Sequence, residues 1–171
     1  MKRGQPAPAP DDLDALFEIP GHLLRRCHQI AVAIFFDECE GLDLTPPQFV
    51  TLLVLARYGP LDHATLGGVA ALDRTTVAVV VRNLLQRGLV ETHPSTSDRR
   101  AKIVAITDAG RTVLDQAGDP VDIAQERTLA PLTSRERAQF IRLLQKIARE
   151  NNALSRAPLK VRRSIRRAET K

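Results

Sequence analysis

At Gly88 the apolar residues of this chain change period. Upstream, Val77, Val80, Val81 and Leu84 recur three and four apart, which gathers them on one face of a helix. Downstream, Leu89–His93 and Lys102–Ile106 read as two short β-segments joined by the polar stretch 94–100. One regular element cannot carry both patterns, so a helix must stop at Gly88 and a hairpin must begin. Asp73 stands where the N-cap of that helix belongs, and Gly88 suits its C-terminal stop. Asp62 caps a shorter helix just before it, roughly His63–Ala71.

The flanks are helical too. Pro20 to about Glu40 carries Leu23, Leu24, Cys27, Ile30, Ile34 and Phe35 at helical spacing, and Gly41 ends it. Thr45-Pro-Pro-Gln48 combines a capping box with Pro at the first helical position. The helix it opens presents Phe49, Leu52, Leu53 and Ala56 and stops at Tyr58-Gly-Pro60. Thr107 caps a helix of about 20 residues that Gly118-Asp-Pro120 should weaken. Thr133 and Glu136 form a second capping box, before a helix with Phe140, Leu143, Leu144 and Ile147 on one face. The fold class is therefore mainly α (α+β): a winged helix-turn-helix with long N- and C-terminal helices. The long helices exceed what a winged domain needs, and their apolar faces predict a dimer. The expected divisions are a disordered arm (1–12), a dimerisation and ligand helix (13–41), a winged DNA-binding domain (42–107), C-terminal dimerisation helices (108–155) and a basic tail (156–171).

Composition narrows the function. The chain is 43% hydrophobic but has five Phe, one Tyr and no Trp, so aliphatic residues must pack the core. Its charge of +5 invites a nucleic-acid reading, yet residues 156–171 carry seven Lys/Arg against Glu169. That surplus of six exceeds the total, so residues 1–155 are slightly acidic and net charge alone identifies no partner. No apolar run approaches the ~18 residues of a membrane span, and Met1-Lys2-Arg3 leads into Pro and Ala rather than a signal-peptide core. A cytoplasmic protein without membrane contact is expected. No phosphate loop, nucleophile elbow or metal-ligand cluster occurs, so neither an enzyme nor a metal or other cofactor is expected.

The helix before Gly88 carries the informative chemistry. Opposite its core face lie Thr75, Ala78, Val79, Arg82 and Gln86. Small apolar groups such as Ala78 and Val79 suit thymine methyls, and Arg82 can take a guanine edge or a phosphate. Arg74 and Thr76, near the positive end of the helix dipole, suit phosphates. At the hairpin tip, Asp98 adjoins Arg99 and Arg100, cations able to enter a narrow minor groove. Elsewhere His22 lies one turn from Arg25 and Arg26, a spacing able to hold a carboxylate and a ring hydroxyl, although a solvated helix start is the plainer reading from spacing alone. Cys27 and Cys39, twelve apart, form no zinc or redox motif and read as packing groups in a reducing compartment.

In order and spacing, Leu72-Asp-Arg-Thr-Thr-Val77, Leu84, Arg87-Gly-Leu-Val90, Asp98-Arg-Arg100 and Ile106-Thr-Asp-Ala-Gly110 resemble the MarR family of bacterial regulators over roughly residues 20–150. The resemblance implies a homodimer whose terminal helices interlock while two winged domains grip one pseudo-palindromic site on double-stranded DNA. It also implies that Asp98 orients an Arg and that Arg100 enters the groove. Pro20-Gly-His-Leu-Leu-Arg-Arg26 is similar to a branch that answers to aromatic acids, in which the Arg matching Arg25 grips the ligand carboxylate. That branch has a His further along the helix, where this chain has Ala31. A different branch senses oxidants through a first-helix cysteine supported by tyrosines, whereas this chain has only Tyr58.

The expectation is a repressor released by a small aromatic carboxylate or its thioester, with DNA contacts from Arg74, Thr75, Thr76, Ala78, Val79, Arg82, Asp98, Arg99 and Arg100 and effector contacts from His22, Arg25 and Arg26. Two alternatives stand beside it: an oxidant-sensing repressor of the same fold, and a ligand-independent architectural DNA binder.

Overall fold

The computed structural model describes residues 14–94 and 102–159. Along the chain lie α1 (Asp14–Phe17), α2 (Pro20–Glu38), α3 (Pro46–Tyr58), β1 (Leu61–Asp62), α4 (His63–Ala70), α5 (Arg74–Gln86), β2 (Val90–Pro94), β3 (Lys102–Ile106), α6 (Asp108–Leu129), α7 (Ser134–Glu150) and a 3₁₀ turn (Asn152–Leu154). The strands form one antiparallel sheet in the order β1-β3-β2, with Leu61 opposite Val104 and Val90 opposite Ile106.

Local chemistry sets the helix ends. The Thr45–Gln48 and Thr133–Glu136 capping boxes are both formed. Thr107 accepts the Gly110 N–H at 3.1 Å and caps α6. After α5 the chain closes a Schellman motif: Gly88, at φ 69°, donates to the Leu85 carbonyl at 3.0 Å, and Leu89 donates to that of Leu84 at 2.9 Å. Leu89 thereby belongs to the turn, and the strand starts one residue later than its sequence suggests.

The core joins α3, α4, α5 and β3 through Leu52, Leu55, Leu66, Leu84 and Val104, none of which is measurably exposed. Burial of each such Leu contributes roughly 1.5–3 kcal/mol. α4 and α5 turn through 104° at the intervening residues, within the range of a helix-turn-helix. Gly67 permits that close turn, since a Cβ there would stand 2.8 Å from the Leu72 carbonyl oxygen and 2.9 Å from a Val77 methyl.

Three further expectations change. α2 ends at Glu38, with Cys39 as its C-cap, rather than at Glu40. α6 runs unbroken through Pro120, because Ala117, Val121 and Ala124 are buried along it as it packs lengthwise on α2. Tertiary packing outweighs the one backbone bond that proline removes. Finally, Cys27 is exposed and only Cys39 is buried, so the packing role holds for Cys39 alone within this chain.

Candidate nucleic-acid interface

α4 and α5 begin with the same device. Asp62 accepts the Ala64 and Thr65 N–H groups at 3.0 Å, and the Thr65 hydroxyl donates to its second oxygen at 2.7 Å. Eleven positions on, Asp73 accepts from Thr75 and Thr76, with the Thr76 hydroxyl again on the second oxygen, all at 3.0 Å. The backbone N–H of Thr76, then its hydroxyl, hold the Asp73 carboxyl below its ordinary range, and the Thr75 N–H and Arg156 charge act the same way. The Thr76 hydroxyl hydrogen is thereby engaged in the cap. Both threonines follow their Asp at the same Asp-x-x-Thr spacing, the sequence signal for this second half of the cap.

Past the cap, α5 divides as its periodicity predicts. Val77, Val80, Val81 and Leu84 are buried, while Arg74, Thr75, Ala78, Val79, Arg82 and Gln86 are exposed. The outward surface thus carries a hydroxyl, two small apolar groups, an amide and a guanidinium, projecting from a helix fixed at both ends. Such a face can enter a major groove and contact base edges. Beside it β2 and β3 pair as far as Pro94 opposite Lys102, with His93 and Glu91 in contact at 3.1 Å. The expected wing residues Asp98, Arg99 and Arg100 lie outside the described residues.

Two long-range contacts hold the end of α2 and the link that follows it, one from α5 and one from α6, and neither has a sequence signal. Arg87 donates to the Leu42 carbonyl at 3.2 Å and to the Asp43 carbonyl, joining the end of α5 to the α2–α3 link. Arg127 of α6 pairs with Asp37 at 2.5 Å and with Glu38, holding the last turn of α2. A cleft of about 410 Å³ opens at the α2–α3 junction, bounded by Phe36, Cys39, Gln48, Asn83 and Arg87. Burial first, and Glu38 second, push the Cys39 thiol above its ordinary pKa, which disfavours the thiolate that oxidation requires.

The candidate effector residues lie at the opposite end of α2. Phe17 gathers two of them: its ring meets the His22 imidazole edge-on, with centroids 6.4 Å apart, and the Arg26 guanidinium lies 5.6 Å from the ring centroid. Arg25 is exposed, and none of the three lines the junction cleft. Apolar side chains stay uncovered along the length of α2 and on α6 and α7. Leu24, Ile30 and Phe36 on α2, Ile123 on α6, and Ile141, Leu143 and Ile147 on α7 are each about half exposed, and α7 has no buried residue.

Comparison with known proteins adds to this geometry. The sequence pattern of the MarR family matches residues 44–102. The chain is 35% identical over 148 residues to the HTH-type transcriptional repressor NicR of Pseudomonas putida, an alignment spanning 85% of this chain and 94% of that one. Among solved structures, Bordetella bronchiseptica BpsR, described with the regulation of its DNA binding by 6-hydroxynicotinic acid, superposes with a TM-score of 0.71 at 32% identity, covering 75% of this chain and 97% of the other. Streptomyces coelicolor PcaV in complex with its natural ligand gives a TM-score of 0.73 at 33% identity, covering 78% and 94%.

Proposed function

This chain belongs to the MarR family of transcriptional regulators, and from that premise we propose that it acts in the cytoplasm as a homodimeric repressor released from its operator by an aromatic carboxylic acid or the corresponding thioester. The observation that carries the DNA-binding part is the outward face of α5. Thr75, Ala78, Val79 and Arg82 stand exposed on a helix capped by Asp73 and closed by Gly88, with a β-hairpin beside it. Thr75 and Arg82 supply hydrogen-bonding groups for bases or phosphates, and Ala78 and Val79 supply contacts for thymine methyls.

Dimerisation is supported by the uncovered apolar faces of α2, α6 and α7. A second copy packed against them would remove these side chains from water, at roughly 25 cal/mol per Å² of apolar surface covered. Two α5 helices related by a two-fold axis would then address half-sites about one turn of DNA apart, ~10 bp.

The effector reading rests on the relatives and on the start of α2. BpsR is described with 6-hydroxynicotinic acid, a hydroxylated aromatic acid. Arg25 of this chain is exposed, and a guanidinium can hold a carboxylate with two parallel hydrogen bonds. Phe17, His22 and the neighbouring apolar residues offer surface for a flat ring. Effector binding that shifts α2 would reach α5 through the α2–α3 link and Arg87. Coupling of about 1–3 kcal/mol would weaken DNA binding roughly 5–150-fold.

The test has three parts. Sedimentation should give twice the chain mass, and footprinting should show two half-sites. A thermal-shift screen of nicotinate-, benzoate- and hydroxycinnamate-type acids and their thioesters should find a stabilising compound that also releases DNA. Arg25→Ala should lose that response and keep operator affinity. An Arg25→Ala protein that responds like the native one would move the effector site elsewhere.

A further inference from the structure

The segment after α7 is shaped by one asparagine. The Asn152 side chain accepts the Leu159 N–H at 2.8 Å and donates to the Leu159 carbonyl at 3.3 Å, which closes residues 152–159 into a loop. Within it, Ala157 donates its N–H to the Ser155 hydroxyl at 3.1 Å. Arg156, Ala157 and Pro158 from this loop line a cleft of about 700 Å³ together with His63 of α4, Arg74 of α5 and Lys102 of β3. Three separated stretches of chain thus deliver Arg74, Lys102 and Arg156 to one concavity beside the first turn of α5.

The carboxylates of the region are already engaged. Asp62, which also lines the cleft, caps α4, and Asp73 caps α5 while feeling the charge of Arg156. Arg74, Lys102 and Arg156 form none of the ion pairs seen among the described residues. Arg156 meets the Asp73 carboxylate through its charge alone, and the three cations converge on one concavity adjoining the outward face of α5. Beyond Leu159 the sequence carries six further Lys/Arg against Glu169, so the chain continues from this patch with strongly basic composition.

We propose that Arg156, presented by the Asn152–Leu159 loop, joins Arg74 and Lys102 in a phosphate-gripping patch that holds the DNA backbone beside the bases read by α5. The inference rests on the DNA-binding reading above and adds the post-α7 segment to the interface. A backbone contact of this kind adds affinity without sequence preference, because every duplex offers the same phosphates.

The experiment measures affinity of the full chain for an operator duplex and for a random duplex of equal length, across a series of KCl concentrations. Arg156→Ala should weaken both several-fold at low salt and leave their ratio unchanged. The slope of log affinity against log salt should become shallower by about 1.8, one phosphate contact for each of the two protomers on the duplex. Arg156→Lys should keep the native slope. Asn152→Ala, which frees the loop while retaining its charge, should lose part of the affinity. Arg156 is exposed, so its variants should melt like the native protein. A native salt slope in Arg156→Ala, or tighter binding by it, would overturn the proposal while leaving the parent reading intact. Absence of duplex binding by the native chain would instead overturn the parent reading, and this one with it.

Discussion

Arg87 and Asp43, 44 positions apart, are joined twice: a guanidinium N–H donates to the Asp43 carbonyl, and the carboxylate lies 3.7 Å from the same side chain. The ion pair itself is exposed on the Asp side and contributes little. The bonds to the Asp43 and Leu42 carbonyls matter more, since they attach the end of α5 to the link between α2 and α3. Arg87→Ala should lower stability by about 1–2 kcal/mol. It should also bring the ratio of operator affinities without and with effector toward one, because α2 then moves without carrying α5. Denaturant melts and paired titrations check this, and an unchanged ratio would remove Arg87 from the coupling route.

Arg82 projects from the outward face of α5 near Val79. If it reads a base, Arg82→Ala should cost about 1–3 kcal/mol on the operator and relax preference at one position in each half-site. A phosphate contact would instead weaken all duplexes alike. Affinities measured on operators substituted one position at a time distinguish the two, and unchanged binding everywhere would contradict the orientation of the helix.

Asp73 supplies a pH-dependent support to α5. Its carboxyl is held below the ordinary value of 3.8 in the folded chain, so the folded state binds that proton less readily than the unfolded state. The stabilisation is therefore complete above the unfolded pKa and is lost as pH falls through the depressed folded one. Asp73→Asn should reduce the melting temperature at pH 7 and lose less on acidification to pH 3 than the native chain does. Equal acid sensitivity in both proteins would show that the cap contributes nothing to acid unfolding.

Gly67 sets how closely α4 approaches the turn and α5. In Gly67→Ala the new Cβ meets a backbone carbonyl oxygen at 2.8 Å, which cannot swing aside as a side chain does. A loss of about 1–3 kcal/mol is expected, as for other overpacked sites. Operator binding should weaken as the turn shifts. A variant as stable as the native chain would mean that this approach is looser than the structure shows.

What could be read from the sequence was local. The Thr45, Thr107 and Thr133 caps, the Asp62 and Asp73 caps, the Gly88 stop and the two faces of α5 depend on residues within a few positions of one another, and each was legible. What escaped depends on distant partners. β1 exists because Leu61 and Asp62 pair with Val104 and Ile103, and no two-residue stretch announces that. Pro120 stays helical because α2 lies alongside α6. Arg87 reaches Asp43 and Arg156 arrives beside Arg74 through tertiary geometry, while Phe17 meets His22 and Arg26 across the bend between α1 and α2. The exposure of Cys27, on the uncovered side of α2, fits the surface on which the proposed dimer would form.

The central claim is that this chain binds a specific DNA site and surrenders it to an aromatic acid. Its most direct test is a fluorescence-anisotropy titration of the native protein on a duplex from its own promoter and on a scrambled duplex, at fixed salt, with and without 6-hydroxynicotinate or the acid selected by thermal shift. The account predicts affinity for the promoter duplex at least ~10³-fold above that for the scrambled one, and a roughly 5–150-fold loss when the acid is present. Equal affinity for the two duplexes, or promoter binding that no acid or thioester in the screen alters, would contradict it.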